Sequence, residues 1–189
     1  MDIILASASP RRQELLKLII PNFMTLPTNI DETVPEMIYP HDAPEFLARK
    51  KAAVFGKEYP KSLTIGCDTA VITDFGMLGK PKDEVDAVRM LKILSGNVHK
   101  VITGCCLYYM MQEYSFSIQT EVEFYPLTSK EINKYIKTGE YTDKAGAYAI
   151  QGYGSLLVKQ IKGDYNNVVG LPVSALKREI EVFCPQALK

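Results

Sequence analysis

Apolar runs of strand length alternate with segments of helical period along the first hundred residues. Asp2 to Ala6 reads as a short buried strand, and Ser9-Pro10 after it suits an N-cap followed by the first helical position. That helix is predicted to run through Leu15, Leu16, Leu18 and Ile19 and to stop at Pro21. Residues 21–41 are rich in Pro, Asp and Thr and read as loop or irregular strand. Asp42-Ala43-Pro44-Glu45 resembles a capping box and opens a second helix ending near Gly56. Ser62 to Cys67 is an apolar strand that delivers Asp68 and Thr69 at its end, and Val71-Ile72 offer an extension of it. Asp83 opens an amphipathic helix with Val85, Val88, Leu91 and Leu94 on one stripe and Gly96 as its stop.

The period then changes to two. Val98 to Met110 is a long β-rich run, and Phe116, Ile118, Val122 and Phe124 keep alternate spacing, so an antiparallel hairpin turning near Gln112-Glu113 is predicted. Thr128-Ser129-Lys130-Glu131 is a second capping box, whose helix ends at Gly139. A last helix follows Gly170-Leu171-Pro172 and runs to about Phe183. Early alternation of strands and helices with a hairpin in the middle gives the α/β class with a mixed sheet. No repeat, low-complexity tract or Ser/Gly linker divides the chain, so one domain over residues 1–189 is expected.

Composition narrows the function. The 189 residues carry 22 basic and 22 acidic side chains, and this neutral balance argues against a broad binder of duplex nucleic acid. Small phosphorylated ligands remain open, since a few local cations suffice for them. Apolar stretches are far short of the ~20 residues a membrane helix needs. The acidic start Met1-Asp2 and the short apolar run after it do not resemble a signal peptide, so a cytoplasmic protein is expected. Cys67, Cys105, Cys106 and Cys184 show no C-x-x-C spacing and read as reduced thiols. With His41 and His99 the only histidines, a structural zinc site has little to draw on.

Three clusters could carry chemistry. Ser7-Ala8-Ser9-Pro10-Arg11-Arg12 joins a strand to a helix N-terminus, where unpaired N–H groups, two hydroxyls and two guanidiniums suit an anion such as a polyphosphate. The plainer reading is an N-cap serine with two solvated arginines, but cations oppose the dipole at that end. The second cluster is acidic. Asp31-Glu32 lies in a loop and Asp68 follows an apolar strand, where α/β sheets place ligands; converging carboxylates there suit a hard divalent cation arriving with phosphates. Taken alone, Asp31 and Glu32 read first as ordinary loop acids. The third cluster is cationic: Lys50-Lys51 in the second helix, and Lys80 held between Gly79 and Pro81. Helical angles do not choose between Lys50 and Lys51, because each flanks the stripe of Leu47 and Val54, and a solvated face is the plain reading of both.

In order, these segments resemble the Maf family of nucleoside triphosphate pyrophosphatases. The residues carrying the resemblance are S-A-S-P-R-R-Q-E-L-L (7–16), D-E (31–32), L-A-R-K-K-A (47–52), G-C-D-T (66–69) and G-K-P (79–81). L-S-G-N-V-H-K-V-I-T-G (94–104), G-E-Y-T-D-K-A-G-A-Y-A-I-Q-G (139–152) and Y-N-N-V-V-G-L-P (165–172) continue it over nearly the whole chain. The I-Q-G ending is similar to the branch acting on dTTP and UTP, with Tyr141 a departure where that branch often has proline. The resemblance implies an α/β fold like the inosine triphosphate pyrophosphatases, two lobes around a cleft, and a homodimer. It makes Asp68 the catalytic proton acceptor, puts Glu32, Lys51 and Lys80 in the same cleft, and ties Arg12, Thr69 and Gln151 to base choice.

The reaction expected is attack of water on the α-phosphorus of a nucleoside triphosphate, giving monophosphate and pyrophosphate. Ser7, Ser9, Arg11 and Arg12 would hold the substrate, and Arg11, Arg12, Lys51 and Lys80 would neutralise its phosphates. Mg²⁺ or Mn²⁺ on Glu32 and Asp68 would polarise the phosphate and acidify the water. The alternatives are a different base preference, or a nucleotide-binding regulator of cell division without turnover.

Overall fold

The computed structural model describes all residues 1–189. Its strands form one seven-stranded mixed sheet, in the order β2-β1-β3-β5-β6-β7 with β4 beside β3. The chain divides into two units: residues 1–69, 103–118 and 170–189 make the first, and residues 70–102 and 119–169 the second.

In the first unit, β1 (Ile3–Ala6) is fully buried and runs parallel to β2 (Met24–Thr25) and to β3 (Leu63–Thr73). Between them come α1 (Pro10–Leu16) and α2 (Ala43–Glu58). The strand β5 (Val98–Tyr109) and the strand β6 (Gln112–Phe124) pass through both units, and α6 (Val173–Phe183) closes the first. Alternation along the strands sorts side chains to two faces. Leu63, Ile65 and Cys67 of β3 and Cys105 and Leu107 of β5 join Leu16, Leu176 and Ile180 in one core. Cys106 and Tyr108 pack instead on Ala48 and Ala52 of α2. So α1 and α6 cover one face and α2 the other. All four cysteines are buried free thiols.

The second unit holds β4 (Gly76–Leu78), α3 (Glu84–Leu94), α4 (Ser129–Ile136), β7 (Val158–Lys162) and the short α5 (Tyr165–Val169). α3 packs on α4 and on the 3₁₀ turn Ala145–Ala147. β7 runs antiparallel to β6. Its core includes His99, whose ring lies edge-on to Phe124 and Tyr148.

Several local expectations shift. Ser9 caps α1 as predicted, but the helix ends at Leu16, and Leu18 to Ile20 continue only as turns before Pro21. Asp42 makes no cap: its backbone is helical (φ −92°, ψ −14°), and Glu45 accepts a hydrogen bond from Ser115 Oγ at 2.7 Å instead. The box at Thr128 and Glu131 does form, because both partners are local. Met110 (φ 51°) and Met111 (φ 63°) make the hairpin turn, ahead of the predicted Gln112-Glu113. Nothing in two methionines advertises a left-handed pair. On α3 the buried stripe is Ala87, Met90, Leu91 and Leu94, while Val85 is exposed. Leu91 and Leu94 lie on the buried stripe as predicted, and at its N-terminal end Ala87 and Met90 take the place of Val85 and Val88.

Candidate active site

β3 is not the short strand expected. It continues past Asp68 to Thr73, because Val71 to Thr73 pair antiparallel with Gly76 to Leu78. Asp68 therefore stands inside a strand, yet beyond the end of its parallel neighbour: pairing with β1 stops at Ala6 and Gly66. Past that point β1 has turned away into Ser7 and α1. Asp68 thus occupies the opening that parallel topology leaves at the carboxyl end of a strand.

The alternation that sorts the core also sorts the site. Gly66 and Asp68 share the face covered by α2, and Cys67 and Thr69 share the face of α1 and α6. Two glycines let α2 approach closely. A Cβ on Gly66 would lie 2.3 Å from the Ala48 carbonyl oxygen, and one on Gly104 would lie 2.3 Å from the Glu45 nitrogen. At this distance Lys51 reaches the strand. Its Nζ lies 2.6 Å from Asp68 Oδ1 and 2.8 Å from Glu32 Oε1, with only 8% of the residue exposed. Packing thereby makes the choice between Lys50 and Lys51 that helical angles left open. Lys50 is half-buried and donates to the Asp31 carbonyl oxygen. It also makes Asp68 a paired acid, with a partner seventeen residues away that no spacing rule names.

The neighbouring acids part in the same way. Asp31 Oδ1 accepts from the Thr33 N–H (2.9 Å) and hydroxyl (2.6 Å), and these bonds hold its carboxyl below the usual range. Asp31 shapes the loop, and Glu32 faces the lysine. Glu32 and Asp68 thus offer two hard carboxylate donors, each paired with Lys51 Nζ. No cluster of three or more His, Cys, Asp or Glu suited to a metal occurs in the chain. A Mg²⁺ there would depend on substrate phosphates and water for its other ligands, the usual arrangement for that ion.

On the opposite face Arg12 acts as a rivet. Its Nε donates to the Gly170 carbonyl (2.8 Å), Nη1 to Ser7 Oγ (3.3 Å) and the Cys67 carbonyl (2.9 Å), and Nη2 to Thr69 Oγ1 (3.0 Å). Thr69 Oγ1 is also 2.9 Å from Thr103 Oγ1. Four of the five guanidinium N–H groups are used in ordering β1, β3 and the start of α6. Ser9 Oγ accepts the Arg12 N–H at 3.5 Å, and the Ser9 N–H donates to Ser7 Oγ at 3.2 Å. Arg11 is half-buried on the first turn of α1.

Lys80 and Gln151 belong to the second unit. Lys80 is exposed and lies 3.8 Å from Asp143, a long pairing between two solvated side chains. The Gly79 carbonyl beside it accepts the Gly146 N–H at 3.0 Å. Gln151 is exposed, in extended backbone just before the 3₁₀ turn Gly152–Leu157. Glu140 holds that turn, accepting the N–H groups of Tyr153 (3.1 Å) and Gly154 (3.2 Å). Buried His99 Nε2 and Tyr148 Oη are 2.8 Å apart, and burial lowers the His99 pKa to about 4. Glu140, Thr103 and the Gly170 carbonyl had no role in the sequence reading. All three lie inside recognised segments, but no spacing rule names the distant groups they serve.

The fold is that of an α/β class with solved members. The Ham1 protein of Staphylococcus aureus superposes with a TM-score of 0.58 at 15% identity, over 96% of this chain and 99% of that one. The HAM1 protein of Coxiella burnetii gives 0.53 at 13%, over 96% and 99%. Residues 2–183 match the family described as Maf-like protein, and the chain belongs to the Maf family. It is 48% identical over 180 residues to the dTTP/UTP pyrophosphatase of Geobacillus sp. (strain WCH70), covering 95% of this chain and 97% of that protein. The dTTP/UTP pyrophosphatase of Halalkalibacterium halodurans is 46% identical over 180 residues (95% and 95%). That of Latilactobacillus sakei is 43% identical over 178 residues (94% and 98%).

Proposed function

We propose that this protein hydrolyses dTTP and UTP to the nucleoside monophosphate and pyrophosphate. The observation that carries the reading is the group formed by Asp68, Lys51 and Glu32 at the carboxyl end of β1. The names of relatives up to 48% identical over nearly the full chain support the substrates. In the reaction a water oxygen forms a bond to the α-phosphorus while the bond from that phosphorus to the bridging oxygen breaks, and pyrophosphate leaves with that oxygen. Asp68 takes the proton from the water. Lys51 orients Asp68 before the reaction and screens it from Glu32. Arg11 and Lys80 neutralise phosphate oxygens, whereas Arg12, with Ser7 and Ser9, shapes the segment before α1. Gln151 reads the 4-oxo pyrimidine edge, its carbonyl accepting from N3–H and its amide donating to a ring carbonyl.

Glu32 and Asp68 would hold Mg²⁺ or Mn²⁺ together with the triphosphate. That ion, when bound, supplies Lewis-acid charge to the phosphate and lowers the pKa of water. With Lys51 between them, the two carboxylates carry one net negative charge, so such an ion would be shared with the substrate rather than caged by protein. A cytoplasmic homodimer belongs to the same proposal, resting on the family resemblance; sedimentation at twice 21.2 kDa checks the dimer. No helix is long and apolar enough to cross a membrane.

The test is incubation with dTTP, UTP, dCTP and dGTP in the presence of Mg²⁺, with all phosphate products quantified. Pyrophosphate and monophosphate are expected in equal amounts, faster from dTTP and UTP, with no diphosphate accumulating. Diphosphate and orthophosphate appearing first would move the attack to the γ-phosphorus and overturn the reading. Ligand-induced stabilisation without any product would make the protein a binder.

A further inference from the structure

We propose that Glu140 is the residue that positions Gln151 for base selection, acting through the backbone of the turn after it. The inference rests on Gln151 being the base reader. Amide orientation matters there, because the side chain of Gln151 rotated end for end would pair equally well with cytosine's N4 amine and N3 acceptor. Whatever orients the amide can act only on a side chain that starts from one place, so selection also needs the backbone of Gln151 held. Thr69, which the family resemblance ties to base choice, has its hydroxyl bonded to Arg12 and Thr103.

Gln151 is exposed, yet its backbone is pinned on both sides. Ahead of it, the Ala149 N–H donates to Tyr135 Oη at 3.1 Å, and Ile150 is 94% buried by its 6% exposure. Behind it, the 3₁₀ turn Gly152–Leu157 has no capping side chain from Gln151 itself. The carboxylate of Glu140 replaces that cap from a distant part of the chain. Oε1 accepts the Tyr153 N–H and Oε2 the Gly154 N–H, one oxygen for each of two successive donors. The fit is close enough to dictate the residue between. A Cβ on Gly152 would lie 2.4 Å from Glu140 Oε1, and the backbone there has φ +74°. Gly154 is held against the Ala149 carbonyl oxygen, where a Cβ would come within 2.0 Å. The loop from Ala149 to Gly154 thus closes on itself, with Gln151 as its exposed side chain.

The clamp also explains two parts of the sequence together. G-E at 139–140 and Q-G-Y-G at 151–154 are thirteen residues apart between Glu140 and Tyr153, and the pairing of carboxylate with backbone joins them. A charge-assisted bond to each N–H is stronger than a neutral cap would give. A displacement of about 1 Å at a positioned group is enough to cost on the order of 10²-fold in rate.

The experiment compares wild type, Glu140→Gln, Glu140→Ala, Gln151→Ala and the double variant Glu140→Ala/Gln151→Ala. For each, kcat/KM is measured with dTTP and with dCTP, and folding is checked by thermal melting. Glu140→Ala is expected to lower the dTTP:dCTP preference about tenfold at temperatures where the protein is folded, chiefly through KM for dTTP. Glu140→Gln keeps one acceptor oxygen but turns its NH2 donor toward the second N–H, so it too is expected to lose preference. In the Gln151→Ala background, Glu140→Ala should change the preference no further, because the path from Glu140 to the base is already cut. If Gln151→Ala abolishes the preference and Glu140→Ala leaves it intact, the clamp is overturned and the base reader stands. A preference that survives Gln151→Ala overturns the base reader and the clamp with it. Equal losses for both nucleotides in Glu140→Ala would show a merely structural role.

Discussion

Asp68 shows how little of a residue's role lies in its own chemistry. The acid is one of 22 in the chain, and it differs from the rest in having a buried lysine at 2.6 Å and an open parallel strand end beside it. Asp68→Asn is nearly isosteric, and the amide oxygen remains an acceptor for Lys51 Nζ. The variant is therefore expected to fold and bind nucleotide while kcat falls at least about 10²-fold, the usual cost of a lost general base or metal ligand. Single-turnover kinetics beside nucleotide binding checks this, and unchanged hydrolysis would end the assignment. His99 gives a second residue-scale expectation. Its ring is buried, with Nδ1 lacking a hydrogen-bond partner, and burial lowers its pKa from 6.5 to about 4. Below pH 6.5 the unfolded chain takes up a proton at this histidine that the folded protein refuses. Its contribution is thus fully present above pH 6.5 and is lost as pH falls toward 4, by at most about 3 kcal/mol. Denaturant melts across that range, compared with His99→Gln, should show the His99 part of the slope disappearing in the variant.

At the scale of elements, the site depends on how closely α2 lies against β3 and β5. Gly66 is inside a strand, where glycine has no side chain to pack and is otherwise unfavourable. Its value is the approach of the Ala48 and Ala52 backbone, at 2.3 and 2.6 Å from a hypothetical Cβ. Gly66→Ala should push α2 outward, cost about 1–3 kcal/mol, and separate Lys51 from Asp68. The melting temperature should drop by several degrees, and kcat should fall even where the variant is folded. Gly79→Ala, with nothing within 4 Å of the added carbon, is the stability control. An unchanged Gly66→Ala melt would mean that the helix can shift without penalty.

For the whole molecule, the expected consequence of its two-carboxylate donor set is dependence on a divalent ion. The chain has no cluster of three metal-ligating side chains, so any ion would be bound weakly without substrate. Excess chelator should stop hydrolysis and leave the melting temperature of the substrate-free protein unchanged, and added Mg²⁺ or Mn²⁺ should restore activity. Turnover that persists in chelator would remove the ion from the reaction. A fall in the melting temperature would instead indicate a structural ion.

The sequence by itself determined what short-range chemistry can decide. Helix starts at Ser9, Asp83 and Thr128 were legible because each cap is made within three residues. The α/β class followed from apolar runs, and the acidic and cationic clusters followed from residue type. Tertiary structure decided what depends on distant groups. It chose Lys51 over Lys50 and Glu32 over Asp31, extended β3 through Asp68 by pairing with β4, and turned Arg12 toward Gly170. It drew Glu45 away from its cap to Ser115, and set Glu140 on the turn after Gln151. The physical reason is the same in each case. A helical period leaves two adjacent lysines equivalent until a sheet covers one of them, and an ionised side chain settles on whichever buried or unpaired partner the fold brings within about 3 Å.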